Sequence, residues 1–115
     1  MTITLYGIPN CDTVKKARKW LDERGIAYTF HDYKKAGAGP ARLSAWCAAL
    51  GWEKVLNRAG TTFRKLPEDQ REGLDQAQAV AIMVENPSCI KRPIVEYPGG
   101  LLVGFREGEW TALEG

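Results

Sequence analysis

Cys11 is the residue of this chain best placed to act as a nucleophile. Gly7, Pro9 and Asn10 precede it, residue types that turn a chain and open a helix, and a run with helical spacing follows. Asn10 is expected to cap that helix, with Cys11 among its first residues. A helix N-terminus carries roughly half a positive charge and several unpaired N–H groups. A thiol held there can lose its proton below the usual pKa of about 8.5, and the thiolate is the reactive form. Lys15, Lys16, Arg18 and Lys19 come next. Their field favours a thiolate and an anionic substrate, although such a run is also what a solvated helix face contains. Asp12 and Thr13 offer a carboxylate and a hydroxyl beside the sulfur. The charge of Asp12 suits the helix dipole and opposes a thiolate.

A thiolate at Cys11 can attack a disulfide or an oxidised sulfur or arsenic centre. The position three residues on is Val14, so no second cysteine of a C-x-x-C pair is present to resolve the intermediate. The resolving thiol must come from elsewhere, and glutathione is the expected supplier. Cys47 lies on an apolar helical face and is expected to be a buried structural thiol. Cys89 stands close in sequence to Arg92 and Pro93, and a Cys11–Cys89 bridge would need Cα atoms within about 7 Å. Arg92 can meet a carboxylate or oxyanion in bidentate fashion. His31 is the single histidine, at the end of a strand pattern where a surface or capping role is expected. With no C-x-x-C or H-x-x-x-H pair, no metal site is expected.

The elements that must position these groups follow from periodicity. Residues 2–6 alternate and suit a strand. From 13 to 24 the apolar positions Val14, Ala17 and Leu21, with Trp20 alongside, have helical spacing, and Gly25 supplies the stop. Residues 26–31 read as a second strand, so the first two strands should be parallel with a right-handed crossover. Pro40 is expected in the first turn of a helix whose face is Leu43, Trp46, Cys47 and Leu50. A short helix is expected over 51–56. Thr61 or Thr62 can cap a further turn, and Ala77, Val80, Ala81 and Val84 mark the face of a last helix. Residues 93–97 and 101–105, joined by Pro98, Gly99 and Gly100, read as an antiparallel hairpin, with a terminal helix over 107–113. The order is βαβ, a helical block at about 40–85, then ββα. That is a thioredoxin-type α/β order with a mixed sheet and an enlarged middle. In such an order Pro93 opens a strand beside the active cysteine, and proline is the residue that permits a cis bond there.

At 115 residues and 44% hydrophobic the chain suits a single domain with a true core. The net charge of +2 is too mild to suggest a nucleic-acid partner. It is unevenly spread: residues 1–39 hold seven Lys/Arg against four Asp/Glu, whereas 40–85 balance six against six. The apolar runs are short, so no membrane span is expected, and three cysteines without paired spacing do not make a secreted disulfide scaffold. A cytoplasmic monomer is expected.

Tyr6-Gly-Ile-Pro-Asn-Cys11, followed by Lys15-Lys-Ala17, Pro87-Ser-Cys-Ile-Lys-Arg-Pro-Ile94 and Val103-Gly-Phe105, resembles the glutaredoxin-linked arsenate reductase (ArsC) and Spx family, and within it the small YffB-type proteins. The resemblance spans essentially the whole chain. It implies a thioredoxin-like (glutaredoxin-like) fold with a helical insertion and an oxidoreductase with one nucleophilic cysteine, at the position of Cys11. It makes Arg92 the arginine preceding the strand proline. Arg106 falls one residue from a later family arginine. Asn57 stands at the place of the remaining one, with Arg58 beside it, and one position on a helix turns a side chain by about 100°. The substrate and glutathione site implied is therefore Asn10, Asp12, Thr13, Arg92, Pro93, Arg106 and Arg58 around Cys11, with position 89 a packing residue. Glutathione is the implied co-substrate, glutaredoxin an implied partner, and arsenate an alternative substrate. The other class that the resemblance offers is an Spx-like regulator binding RNA polymerase. Those regulators usually carry a C-x-x-C switch, and Val14 removes it here.

Overall fold

A computed structural model describes residues 3–114. Thr2, the first residue of the expected opening strand, lies outside them. The chain forms β1 (Thr4–Gly7), α1 (Asp12–Glu23), β2 (Thr29–Asp32), a four-residue helix α2 (Tyr33–Ala36), and then helices α3 (Pro40–Leu50), α4 (Trp52–Val55), α5 (Thr61–Arg64), α6 (Glu68–Arg71) and α7 (Gln76–Glu85). A 3-10 turn at Pro87–Cys89 precedes β3 (Ile94–Tyr97) and β4 (Gly100–Val103), and α8 (Glu107–Trp110) runs into a closing 3-10 turn, Thr111–Glu114. This is the expected α/β order with a mixed sheet. The packing divides into two compact units, Met1–Ala36 with Arg92–Gly115, and Gly37–Lys91.

In the first unit the strands lie in the order β2-β1-β3-β4. β1 and β2 are parallel, from Thr4↔Thr29 to Gly7↔Asp32. β3 runs antiparallel to both neighbours, with Leu5 opposite Val95 and Ile94 opposite Val103. β2 begins later than its apolar pattern suggests because the end of α1 consumes the residues before it. Gly25, at φ +65°, donates to Asp22 O and Ile26 donates to Leu21 O at 3.0 Å. Those two bonds make a Schellman cap, and they tie Ile26 to the helix rather than the sheet.

Leu5 and Val95 on one sheet face meet Val14, Ala17, Trp20 and Leu21 of α1, and Trp110 and Leu113 close the cluster. Trp20, Phe105 and Trp110 stack edge to face, and the Trp110 indole donates to Gly104 O at 3.0 Å, which satisfies a buried N–H. The Arg92–Pro93 bond is cis.

In the second unit Pro40 occupies the first turn of α3, as expected, and Leu43, Trp46 and Cys47 are buried. Two expectations are corrected there. Gly60, not a threonine, is the N-cap of α5, and no side chain caps it. The buried residues of α7 are Ala79, Val80 and Met83; Ala77 and Ala81 are exposed and Val84 is 41% exposed. Gln76–Glu85 is apolar over most of its circumference, so spacing alone does not choose its inner face. Asp75 fixes its start by accepting from Gln78 N at 2.8 Å.

Candidate functional site

Cys11 itself is the N-cap of α1, with extended backbone at φ −95° and ψ 127°. This corrects the assignment of the cap to Asn10, which is exposed one residue earlier. The reason is in the hydrogen bonds. Cys11 N closes the preceding turn on Ile8 O at 3.2 Å, and Cys11 O accepts the first helical bond from Lys15 N at 2.9 Å. No side chain caps this turn, so the positive end of the helix dipole is left to whatever sits beside the sulfur. Cys11 is partly exposed, and Asp12 and Thr13 are exposed beside it.

Gly7 sets how close this turn comes to the sheet. A Cβ there would lie 2.8 Å from Val14 Cγ2, inside contact distance. The strand end and the first turn of α1 are therefore in direct backbone-to-side-chain contact, and Cys11 is held at the carboxyl end of β1. In an open α/β sheet ligands bind outside the carboxyl ends of the strands.

Tyr33 enters from the neighbouring strand. It follows Asp32, which pairs in register with Gly7. The Asp32 carboxylate accepts from Lys34 N and Lys35 N at 3.1 and 3.2 Å, and so fixes the first turn of α2. Tyr33 is fully buried. Its phenol is pushed well above its ordinary range, chiefly by burial. The Arg92 guanidinium opposes that shift through its charge and a side-chain hydrogen bond, while the charges of Cys11 and Asp32 reinforce it. Arginine has only donors, so the Tyr33 oxygen accepts from Arg92. Arg92, Cys11 and Asp32 are thus within electrostatic reach of the Tyr33 phenol, with Pro93 buried next to Arg92.

Tyr33 was not among the residues singled out from sequence. The signal available was positional: it comes directly after β2, at the same end of the parallel strand pair as the cysteine turn. The other predicted groups have separate surroundings. Arg106 is the N-cap residue of α8, 80% exposed in its side chain, with Glu109 at 3.8 Å. Arg58 is exposed in the second unit, its guanidinium 5.4 Å from the Trp52 ring centroid. His31 is half-buried on β2, its ring 4.9 Å from that of Tyr6, whose hydroxyl donates to Glu96 at 2.6 Å. None of the three cysteines is in a disulfide, and Cys47 and Cys89 are buried. No helix among the described residues is long and apolar enough to cross a membrane.

Comparison with known proteins adds the following. The ArsC family model matches residues 6–113. The structure of a YffB protein superposes with a TM-score of 0.96 at 54% identity, covering 99% of this chain and all (100%) of the other. A protein of Haemophilus influenzae with no assigned function is 44% identical over 110 residues, 96% of each chain. The global transcriptional regulator Spx of Streptococcus agalactiae is 29% identical over 113 residues, 96% of this chain and 82% of the regulator.

Proposed function

The chain belongs to the ArsC family, and from that premise we propose that it is a glutathione-dependent thiol reductase with Cys11 as its nucleophile. One observation carries the reading: a partly exposed cysteine forms the N-cap of α1 while the chain's other two thiols are buried. A single exposed thiol, with Val14 buried at the position where a partner cysteine would stand, has to borrow its second sulfur.

The steps balance as thiol–disulfide exchange. With a glutathionylated substrate, the Cys11 thiolate attacks the glutathionyl sulfur. A Cys11–glutathione bond forms, the substrate S–S bond breaks, and the substrate thiolate leaves and takes a proton from water. A second glutathione thiolate attacks the same glutathionyl sulfur. Glutathione disulfide leaves and Cys11 returns as a thiolate, so both electrons come from glutathione. In this reading Arg92 binds a carboxylate of glutathione or of the substrate. Asn10, Asp12 and Thr13 border the sulfur, and Pro93 forms the wall behind it. Arsenate ranks second within the same chemistry: Arg106 pairs with Glu109 and Arg58 lies over Trp52, so Arg92 is the oxyanion arginine that the reading has in hand. A glutaredoxin would serve as the carrier of electrons from glutathione, and a reducing cytoplasm is the setting in which the cycle runs.

The test is adduct formation with glutathione disulfide, read by intact mass. The native protein should take up one glutathione and release it on addition of reduced glutathione, and Cys11→Ser should take up none. Equal uptake by both proteins would remove Cys11 from its role. The Spx relative favours a second reading, a regulator that works by binding a partner. That role needs a surface and no nucleophile, so absence of an adduct on native protein would favour it over the reductase.

A further inference from the structure

We propose that the outer face of α7, with the cleft beside α6, is a docking surface for a cationic amphipathic helix of a partner protein. The inference goes beyond the reductase reading and makes no use of Cys11.

α7 has two apolar faces, and the fold uses one of them. Ala79, Val80 and Met83 are buried. Ala77, Ala81 and Val84, spaced i, i+4 and i+7, are exposed. They are three of the four residues that spacing marks as an inner face. Val84, at 41%, is the one exposed large apolar side chain among the described residues. An exposed helix face ordinarily carries charged residues that pair at i, i+4. Over its 10 residues α7 carries a single charge, Glu85. Helix propensity accounts for the alanines but not for Val84, whose branched side chain lowers it.

Beside this face the surface is concave. Leu74, Ala81 and Ile82 line a cleft of about 240 Å³, together with the exposed carboxylates of Asp69 and Glu85. Small-molecule sites usually run to roughly 300–1,000 Å³, so the cleft suits an apolar side chain of a larger partner. Ala77 and Ala81, one turn apart, let a second helix come close to α7.

Charge selects the occupant. Residues 68–85 hold Glu68, Asp69, Glu72, Asp75 and Glu85 against one cation, Arg71, and all of these residues are exposed. The Arg71 Nε donates to Leu66 O at 2.9 Å, which ties that cation to its own loop. Anionic lipid surfaces and nucleic-acid phosphates are repelled by such a margin. A second copy meeting this face through a two-fold axis would set like charges against each other. A helix with leucines on one side and lysines flanking them meets both the apolar strip and the acidic margin. At 1.5 Å per residue, α7 offers length for about three turns of it.

The probe is a fluorescein-labelled model helix of leucine and lysine patterned at the helical period, titrated with the full chain and followed by anisotropy. One control is a scramble of the same composition, and the other keeps the pattern with glutamate in place of lysine. The patterned lysine helix should bind saturably, and both controls about tenfold more weakly. Ala81→Arg puts a cation at an exposed helical position and removes no core group. It should weaken binding about tenfold while the urea midpoint stays native. Asp69→Asn combined with Glu85→Gln should lower the affinity and flatten its salt dependence. The proposal is overturned by absence of saturable binding, by equal binding of the scramble, or by native affinity in Ala81→Arg or in the Asp69 and Glu85 double variant. A concentration-dependent dimer in sedimentation that Ala81→Arg abolishes would overturn it too, by making a second copy the occupant.

Discussion

At Tyr33 the burial of an ionisable group becomes a statement about stability. A phenol whose pKa rises on folding binds its proton more tightly in the native chain than in the unfolded one. Its contribution is complete below the unfolded value of about 10.0 and is lost as pH rises past it toward the higher native value. The thiol of Cys47, raised from 9.0 by burial, acts in the same sense from a lower starting point. The urea midpoint should therefore fall as pH rises from about 9 to 11, and less steeply in Tyr33→Phe than in the native protein. A midpoint flat over that range would contradict the burial of both groups. The same residue marks the limit of what single positions reveal. Cys11 was legible because a turn, a cap and a helix lie within a few residues of it. Arg92 was legible because Pro93 follows it. Tyr33 has no such local mark; its meaning depends on a guanidinium from the far end of the chain, brought in by strand pairing. The cap itself slipped by one residue, from Asn10 to Cys11, because the choice is made by which carbonyl accepts from Lys15 N.

Elements were legible where pattern and termination agreed. α1 has a buried stripe of Val14, Ala17, Trp20 and Leu21 and a glycine stop at Gly25, and both are read directly from the chain. α7 lacks a polar face to break the symmetry, and Val84 proved to point outward. α2 is too short for periodicity to show. The contact between β1 and α1 is where element geometry controls the site. Gly7 lies against Val14, and a methyl group there would sit 2.8 Å from Cγ2. Val14 is fully buried and β-branched, so it has few rotamers into which to retreat. Gly7→Ala should cost about 1–3 kcal/mol, the usual range for overpacking a filled core. It should also slow iodoacetamide at Cys11, because the displaced helix carries its N-cap with it. Adding Val14→Ala should recover part of both losses, giving a double variant milder than the sum of the two single ones. Chemical denaturation with the four proteins of that cycle measures the coupling, and strict additivity would mean that the two side chains do not meet.

For the molecule as a whole, strand order was readable because a βαβ unit and a tight hairpin leave few alternatives once handedness is respected. The extent of the helical block was less so: the compact unit runs over Gly37–Lys91, wider than the 40–85 that composition suggested. Its edges are set by tertiary pairing, such as the bridge between Leu56 and Ile90 and the bonds of Asn57 N to Cys89 O and Lys91 N to Val55 O, which no local pattern announces. That pairing has a chemical consequence for the three thiols. Cys89 sits in this bonded segment at 1% exposure and Cys47 inside α3 at 2%, whereas Cys11 is partly exposed at the start of α1. A thiol must reach solvent to attack or be attacked, so the buried pair can react only as fast as the fold opens around them. A native thiol titration with an aromatic disulfide should show one fast equivalent and two slow ones, all three becoming fast in denaturant. Cys11→Ser should abolish the fast phase and leave the slow ones in place. The slow rates should rise with added urea in step with unfolding, while the Cys11 rate changes little at low urea. A fast phase surviving in Cys11→Ser would place a second reactive thiol in the native protein. It would also reopen an internal route for resolving the Cys11 disulfide, against the external thiol on which the proposed cycle depends.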